Sequence, residues 1–154
     1  MNYFFDSSAF AKIFIPETGT AHVESIVRDV ANSVRISELA LVEFRSALFR
    51  RVRMKEVTLP DSVTALQSLK ASLFRFEVID FASSQLTQAA SLLEHFGAEH
   101  DLRTLDSLQL ASFLSKAQPD WRFVTSDTKL VDIVGVLGYQ VINPNSTNPN
   151  YPTI

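Results

Sequence analysis

The chain alternates short apolar runs with longer stretches of helical period. Tyr3-Phe4-Phe5 is an aromatic run stopped by Asp6-Ser7-Ser8, the pattern of a buried strand that ends at a helix cap. Phe10, Ile13 and Phe14 then recur at helical spacing as far as Pro16, and a second helix is expected after Gly19, with Ala21, Ile26, Val27 and Val30 on it. Val34-Arg35-Ile36 reads as a brief strand. Ser37 then caps a helix whose stripe is Leu41, Phe44, Leu48 and Val52 and which ends before Pro60. Another helix is expected from near Asp61, with Val63, Leu66, Leu69 and Leu73 along it. Phe76-Glu77-Val78-Ile79 is a third strand, and residues 82–96 form a helix closed by Gly97. Residues 103–117 are helical until Pro119. Residues 121–125 give a fourth strand, Asp127 caps a helix that ends at Gly138, and residues 139–142 give a fifth strand. Strands and helices thus alternate throughout, which predicts an α/β fold with a parallel sheet, because right-handed crossover helices connect parallel neighbours. The expectation is a single domain over residues 1–144. An extended tail follows over 145–154, because residues 143–154 hold three prolines and four asparagines without an apolar period.

Composition narrows the chemistry. With 154 residues, 46% of them hydrophobic, the chain is long enough to bury a core without staples. It has no cysteine, which excludes disulfides, thiolate metal sites and cysteine nucleophiles. The start at Met1 has no basic region and its apolar run breaks at Asp6, so neither a signal peptide nor a membrane anchor is expected, and a cytoplasmic location is. The four glycines form no dinucleotide or phosphate-loop motif. His95 and His100 are five apart and so do not share a helical face as a zinc pair would. A net charge of −3 means that any polyanion must meet a local basic patch or a metal.

The acids carry the positive signal. Asp6 follows the first strand directly and Asp127 stands two residues beyond the fourth. In open parallel sheets the ligand crevice lies outside the carboxyl ends of the strands, where strand order reverses, so the two acids meet if those strands are neighbours there. Helix capping accounts for either acid taken alone. Asp106 is placed on an apolar stripe with Leu102, Leu110 and Phe113, with an ion pair to Arg103 as its structural explanation. Glu43 has the small neighbours Ala40, Ser46 and Ala47, which leave room around its carboxylate. At 4 Å, two carboxylates repel by about 4 kcal/mol at an effective dielectric of 20, and a divalent cation removes that cost. Oxygen ligands without Cys or His favour Mg²⁺, with Mn²⁺ as a substitute, and such a centre suits phosphodiester hydrolysis.

These residues resemble the PIN-domain ribonucleases, and among them the VapC-type toxins of bacterial toxin-antitoxin pairs. Residues 3–12 are similar to the family's opening strand and first acid, residues 37–44 place Glu43 at its glutamate, residues 102–111 match its third acidic motif, and residues 123–127 with 138–144 match its closing one. The resemblance implies a three-layer α/β/α sandwich on a five-stranded parallel sheet, with the first and fourth strands adjacent. It also implies Asp6, Glu43, Asp106 and Asp127 as catalytic and metal-holding residues, with Glu43 either a ligand or a water-orienting base. Ser7 and Ser126 are implied as accessory hydroxyls.

Arg45, Arg50, Arg51, Arg53 and Lys55 crowd the helix end after Glu43, and the four arginines are candidate RNA contacts beside the acidic pocket. A solvated helix end explains the same cluster. The reading is a metal-dependent endoribonuclease acting as a toxin, with RNA, a cognate antitoxin and a second copy of itself as partners. Its alternative is a catalytically idle PIN scaffold that binds RNA or protein. Phe10, Phe14, Phe44, Phe49, Phe74 and Phe76 lie on helices or helix ends, more than the core is expected to hide, which points to contact surfaces.

Overall fold

The computed structural model describes residues 1–146. Its strands are β1 (Asn2–Phe5), β2 (Ser33–Ser37), β3 (Glu77–Ile79), β4 (Trp121–Val124) and β5 (Gln140–Ile142). They form one parallel sheet in the order β3-β2-β1-β4-β5. The chain builds outward from β1 through β2 to β3 and then crosses to the other side of β1. Strand order therefore reverses between β1 and β4, which are paired with Phe5 opposite Val124. The adjacency needed to bring Asp6 and Asp127 together is present.

Helices cover both faces. The first face carries α1 (Ser7–Ala11), α2 (Thr20–Arg28), α3 (Glu38–Arg53) and α4 (Leu59–Ser72). They pack Phe10, Val23, Ile26, Phe44, Leu48 and Leu69 against Tyr3, Phe5 and Ile36 of the sheet. The second face carries α5 (Ser83–His100), α6 (Thr104–Leu114) and α7 (Thr128–Val136), whose Leu92, Phe96, Leu110, Phe113 and Ile133 meet Phe4 and Phe123. Along β1, Tyr3 and Phe5 enter one core and Phe4 the other, the period-two alternation of a strand buried on both faces. Phe113 anchors the second core, with its ring 5.4 Å from Phe4 and 5.1 Å from Phe123. The three-layer sandwich is the architecture expected. Among the described residues no helix is long and apolar enough to cross a membrane.

Several local expectations are corrected. Gly97 does not close α5; the helix runs on to His100, and Asp101 takes the left-handed conformation at φ 50° instead. Helix α4 begins at Leu59, with Thr58 as its cap and Pro60 inside the first turn, where a proline's missing N–H costs nothing. Its buried stripe is Ser62, Ala65 and Leu69, and Val63 faces solvent, because small residues let this helix lie close to its neighbours. Val30 lies beyond the end of α2 and is 99% exposed. Of the six phenylalanines, Phe10, Phe44 and Phe76 are buried and Phe14 packs against them. Phe49 and Phe74 are exposed.

Beyond β5, Asn143 accepts from the Asn145 amide on its side chain (2.9 Å) and from the Ser146 amide on its carbonyl (3.0 Å). This turn lies on Gly19, whose φ is +89°; a Cβ there would come 2.6 Å from Asn145 Oδ1 and 2.8 Å from the Pro144 carbonyl. The chain thus stays packed on the domain past residue 144. The rest of the expected tail, 147–154, lies outside the described residues.

Candidate active site

The carboxyl ends of β1 and β4 are tied together by a reciprocal set of hydrogen bonds centred on Asp6. Its Oδ1 accepts from the Ala9 amide (2.8 Å), capping α1, and from Ser8 Oγ (2.7 Å). Its Oδ2 accepts from Thr125 Oγ1 (2.6 Å). Ser8 Oγ in turn accepts from the Ser126 amide (2.9 Å), and Thr125 Oγ1 from the Asp127 amide (3.0 Å). Both strand-to-helix turns thus lend a hydroxyl to Asp6, and each of those hydroxyls is held by an amide of the turn after β4. Asp127 caps α7 through the Lys129 amide (2.8 Å). Capping and membership of the crevice therefore coexist for both acids.

Burial dominates the electrostatics of Asp6. It is 4% exposed, and loss of hydration pushes its carboxyl up to about 6 despite three hydrogen-bond donors, with the charge of Glu43 adding to the rise. Asp106, half-buried in the first turn of α6, is also raised, first by burial and then by the charges of Asp127 and Glu43; Arg103 opposes this. The Arg103 guanidinium pairs with Asp101 at 3.9 Å, and among the described residues no ion pair joins it to Asp106, the alternative explanation for that acid. Glu43, from the second turn of α3, receives hydrogen bonds on Oε2 from Ser7 Oγ and from Gln109 Nε2. The four acids come from four elements, and through charge Glu43 acts on Asp6 and, with Asp127, on Asp106. Among the described residues, however, no three His, Cys, Asp or Glu side chains are gathered into a ready metal-ligand set.

Of the two expected accessory hydroxyls, Ser7 bonds Glu43, whereas Ser126 Oγ is buried without a hydrogen-bond partner. Only the Ser126 amide joins the network. The hydroxyls on Asp6 belong to Ser8 and Thr125.

Glu43 also borders a cleft of about 390 Å³ that is shared by Ser7, Ser46, Ala47, Arg50, Arg51 and Leu105. Arg51 pairs with Glu17, whose other oxygen takes the buried Lys12 ammonium at 2.6 Å. Partial burial works to raise the Glu17 carboxyl, but the hydrogen bonds and charges of Lys12 and Arg51 hold it below the usual range. Arg45 bonds the Leu41 carbonyl; Arg45 and Arg53 are exposed and do not line the cleft. The structure thus separates the four candidate arginines into two at the crevice and two on open helix surface.

The PIN domain family profile matches residues 3–135. The chain belongs to the PIN domain family. No curated protein sequence matches it. Solved structures share the PIN fold at low identity. VapBC2 from Rickettsia felis, bound to a DNA fragment from its promoter, has TM-score 0.63 at 15% identity, covering 92% of this chain and 98% of that one. VapC20 from Mycobacterium tuberculosis, a sarcin-ricin loop cleaving toxin, has TM-score 0.62 at 18% identity, covering 92% and 97%. PAE2754 from Pyrobaculum aerophilum has TM-score 0.61 at 22% identity, covering 92% of each chain. Within this PIN domain, sequence reasoning missed Ser8, Thr125 and Gln109. The signal that could have found two of them is position: Gln109 is three residues after Asp106 on the inward side of α6, and Thr125 is the buried residue that follows β4 directly.

Proposed function

We propose that this PIN-domain protein is a divalent-metal-dependent endoribonuclease and the toxin of a toxin-antitoxin pair. The observation that carries the reading is the charge coupling at the switch point of the sheet, where Glu43 adds to the rise of Asp6, and Asp127 and Glu43 add to that of Asp106. An all-oxygen, mutually repelling donor set fits a hard cation, Mg²⁺ or Mn²⁺. Asp6, Asp106 and Asp127 would hold the metal, after side-chain adjustment, with Glu43 as a further ligand or as the base. The cation would lower the pKa of water and stabilise charge on the phosphate.

The protein's own share is orientation and proton transfer. Asp6 is fixed by three donors and Glu43 by two, both on Oε2, so the free Glu43 Oε1 is available to take the proton of the attacking water. The water oxygen bonds to phosphorus, the P–O3′ bond breaks, and the 3′ oxygen is protonated from solvent, giving 5′-phosphate and 3′-hydroxyl ends. Arg50 and Arg51 grip a phosphate beside the scissile one; Arg45 and Arg53 add to the field around it. The protein works in the cytoplasm as a homodimer and is inhibited by its antitoxin. The exposed Phe49 and Phe74 offer apolar contact for these partners, and one solved structure that shares the fold is a toxin-antitoxin complex from Klebsiella pneumoniae.

Mapping new RNA 5′ ends after brief expression, beside an Asp106→Asn control, tests the activity. Cleavage should require Mg²⁺ or Mn²⁺ and fall by roughly 100-fold or more in the control, the scale on which metal and acid–base groups contribute. RNA binding without cleavage would overturn the proposal in favour of the idle scaffold.

A further inference from the structure

Gln109 is 2% exposed on a helix face otherwise filled with apolar side chains and hydroxyls. A buried amide is costly unless both of its ends are bonded, and this one bonds at one end only. Its Nε2 donates to Ser7 Oγ (2.8 Å) and to Glu43 Oε2, while its Oε1 has no partner. The orientation is settled by chemistry: the opposite one would set the amide oxygen against a carboxylate. Ser7 Oγ accepts from Gln109 and donates to Glu43 Oε2, so α1, α3 and α6 meet in a closed triangle of polar groups around one carboxylate oxygen. The triangle leaves a buried carbonyl unbonded while it directs two donors at Oε2, and among the described residues Oε1 has no protein donor.

We propose that Gln109 is a positioning residue that, with Ser7, clamps Glu43 by one oxygen so that the other stays available to the metal and the attacking water. The inference rests on the reading of the site as a metal-dependent nuclease. It adds a reason why a polar residue stands one turn along α6 from Asp106. Both residues come from one rigid helix, so a shift of α6 moves Asp106 and the clamp on Glu43 together. Acids from two elements are thereby held in register.

The clamp differs from a structural role in what its removal does. Gln109→Met keeps the length of the side chain and most of its volume, removes the donors, and also removes the unpartnered carbonyl. A structural amide would be missed in thermal stability. A clamp would be missed in divalent-ion affinity and in kcat.

The test uses the full chain, stripped with chelator and dialysed, with Mn²⁺ affinity followed by electron paramagnetic resonance and with turnover on a short RNA. For Gln109→Met we expect a melting temperature equal to or above that of the wild type in chelator. We also expect Mn²⁺ affinity to fall roughly 10- to 100-fold, the range typical for groups that orient metal-binding side chains. Turnover at saturating RNA and fixed Mn²⁺ should fall while KM for RNA stays close to that of the wild type. Ser7→Ala should show the same pattern, and the double variant should be little worse than Gln109→Met alone, because both act through one oxygen. Wild-type Mn²⁺ affinity and kcat in Gln109→Met would overturn the clamp while leaving the nuclease reading intact. So would a fall in melting temperature with no change in either. A wild-type protein that binds no Mn²⁺ would overturn the nuclease reading, and the clamp with it.

Discussion

Replacing Asp6 by Asn should stabilise the metal-free protein at neutral pH and destabilise it slightly in acid. Burial raises the Asp6 carboxyl from 3.8 to about 6, so the folded chain binds this proton more tightly than the unfolded chain does. At about 1.4 kcal/mol for each tenfold change, the charged form costs the fold about 3 kcal/mol. That cost is absent below pH 3.8, grows through the interval, and is complete above about 6. Asn keeps an oxygen to cap the Ala9 amide, but it turns an NH₂ toward Thr125 Oγ1, and the lost hydrogen bond costs about 1 kcal/mol. The variant should therefore be more stable than wild type by about 2 kcal/mol at about pH 8 and less stable by about 1 kcal/mol at about pH 3.5. For a domain of this size the difference at the alkaline end is a rise in Tm of about 4–8 °C. Urea and thermal unfolding in chelator, at closely spaced pH values, measure it. Mn²⁺ should restore the wild type and leave the variant behind, since it offsets the charge that Asn lacks. A variant less stable than wild type at the alkaline end, or a difference that does not change with pH, would refute the burial argument.

Arg50→Glu combined with Arg51→Glu should weaken RNA binding and flatten its logarithmic salt dependence by about 0.7 for each single-strand phosphate no longer gripped, read by fluorescence anisotropy over about 50 to 200 mM salt; an unchanged slope would return both arginines to a solvated helix end. Gly19→Ala should destabilise by about 1–3 kcal/mol in urea unfolding, since φ is +89° and the added methyl would meet Asn145 and Pro144. Phe113→Ala should cost about 3–5 kcal/mol and leave the four acids in place, because its ring is fully buried against Phe4 and Phe123 on the second core.

The fold is legible in the sequence because the central strands β1 and β4 are short, mostly apolar runs, and β1, β2 and β4 each lead into a helix cap. Asp6, Ser37 and Asp127 cap the helices that follow β1, β2 and β4, and Gly138 takes positive φ after α7. These signals are local in the chain. Expectations fail where spatial neighbours decide: Ser62 and Ala65 are buried on α4 because a close helix requires small residues there, and Gly97 is carried through α5, whose last turn sets the His100 ring 5.6 Å from Phe96.

The same division runs through the site. Asp6 and Asp127 announce themselves at strand ends, and Asp106 by being charged on an apolar stripe. The groups that hold the acids do not, because a buried hydroxyl or amide is made tolerable only by its partner, and here the partners are remote: Gln109 from Ser7 by 102 positions, Thr125 from Asp6 by 119. Adjacency to Asp127 favours Ser126 over Thr125 as the accessory hydroxyl. Strand alternation reverses that preference, since Val124 enters the first core and the next side chain turns back across the sheet edge onto Asp6. Ser7 and Ser8 divide in the same way on α1, one reaching α3 and the other Asp6. A carboxylate in the wrong place is visible in one dimension because its cost is its own, whereas the side chain that makes it tolerable is ordinary until the fold brings the two together.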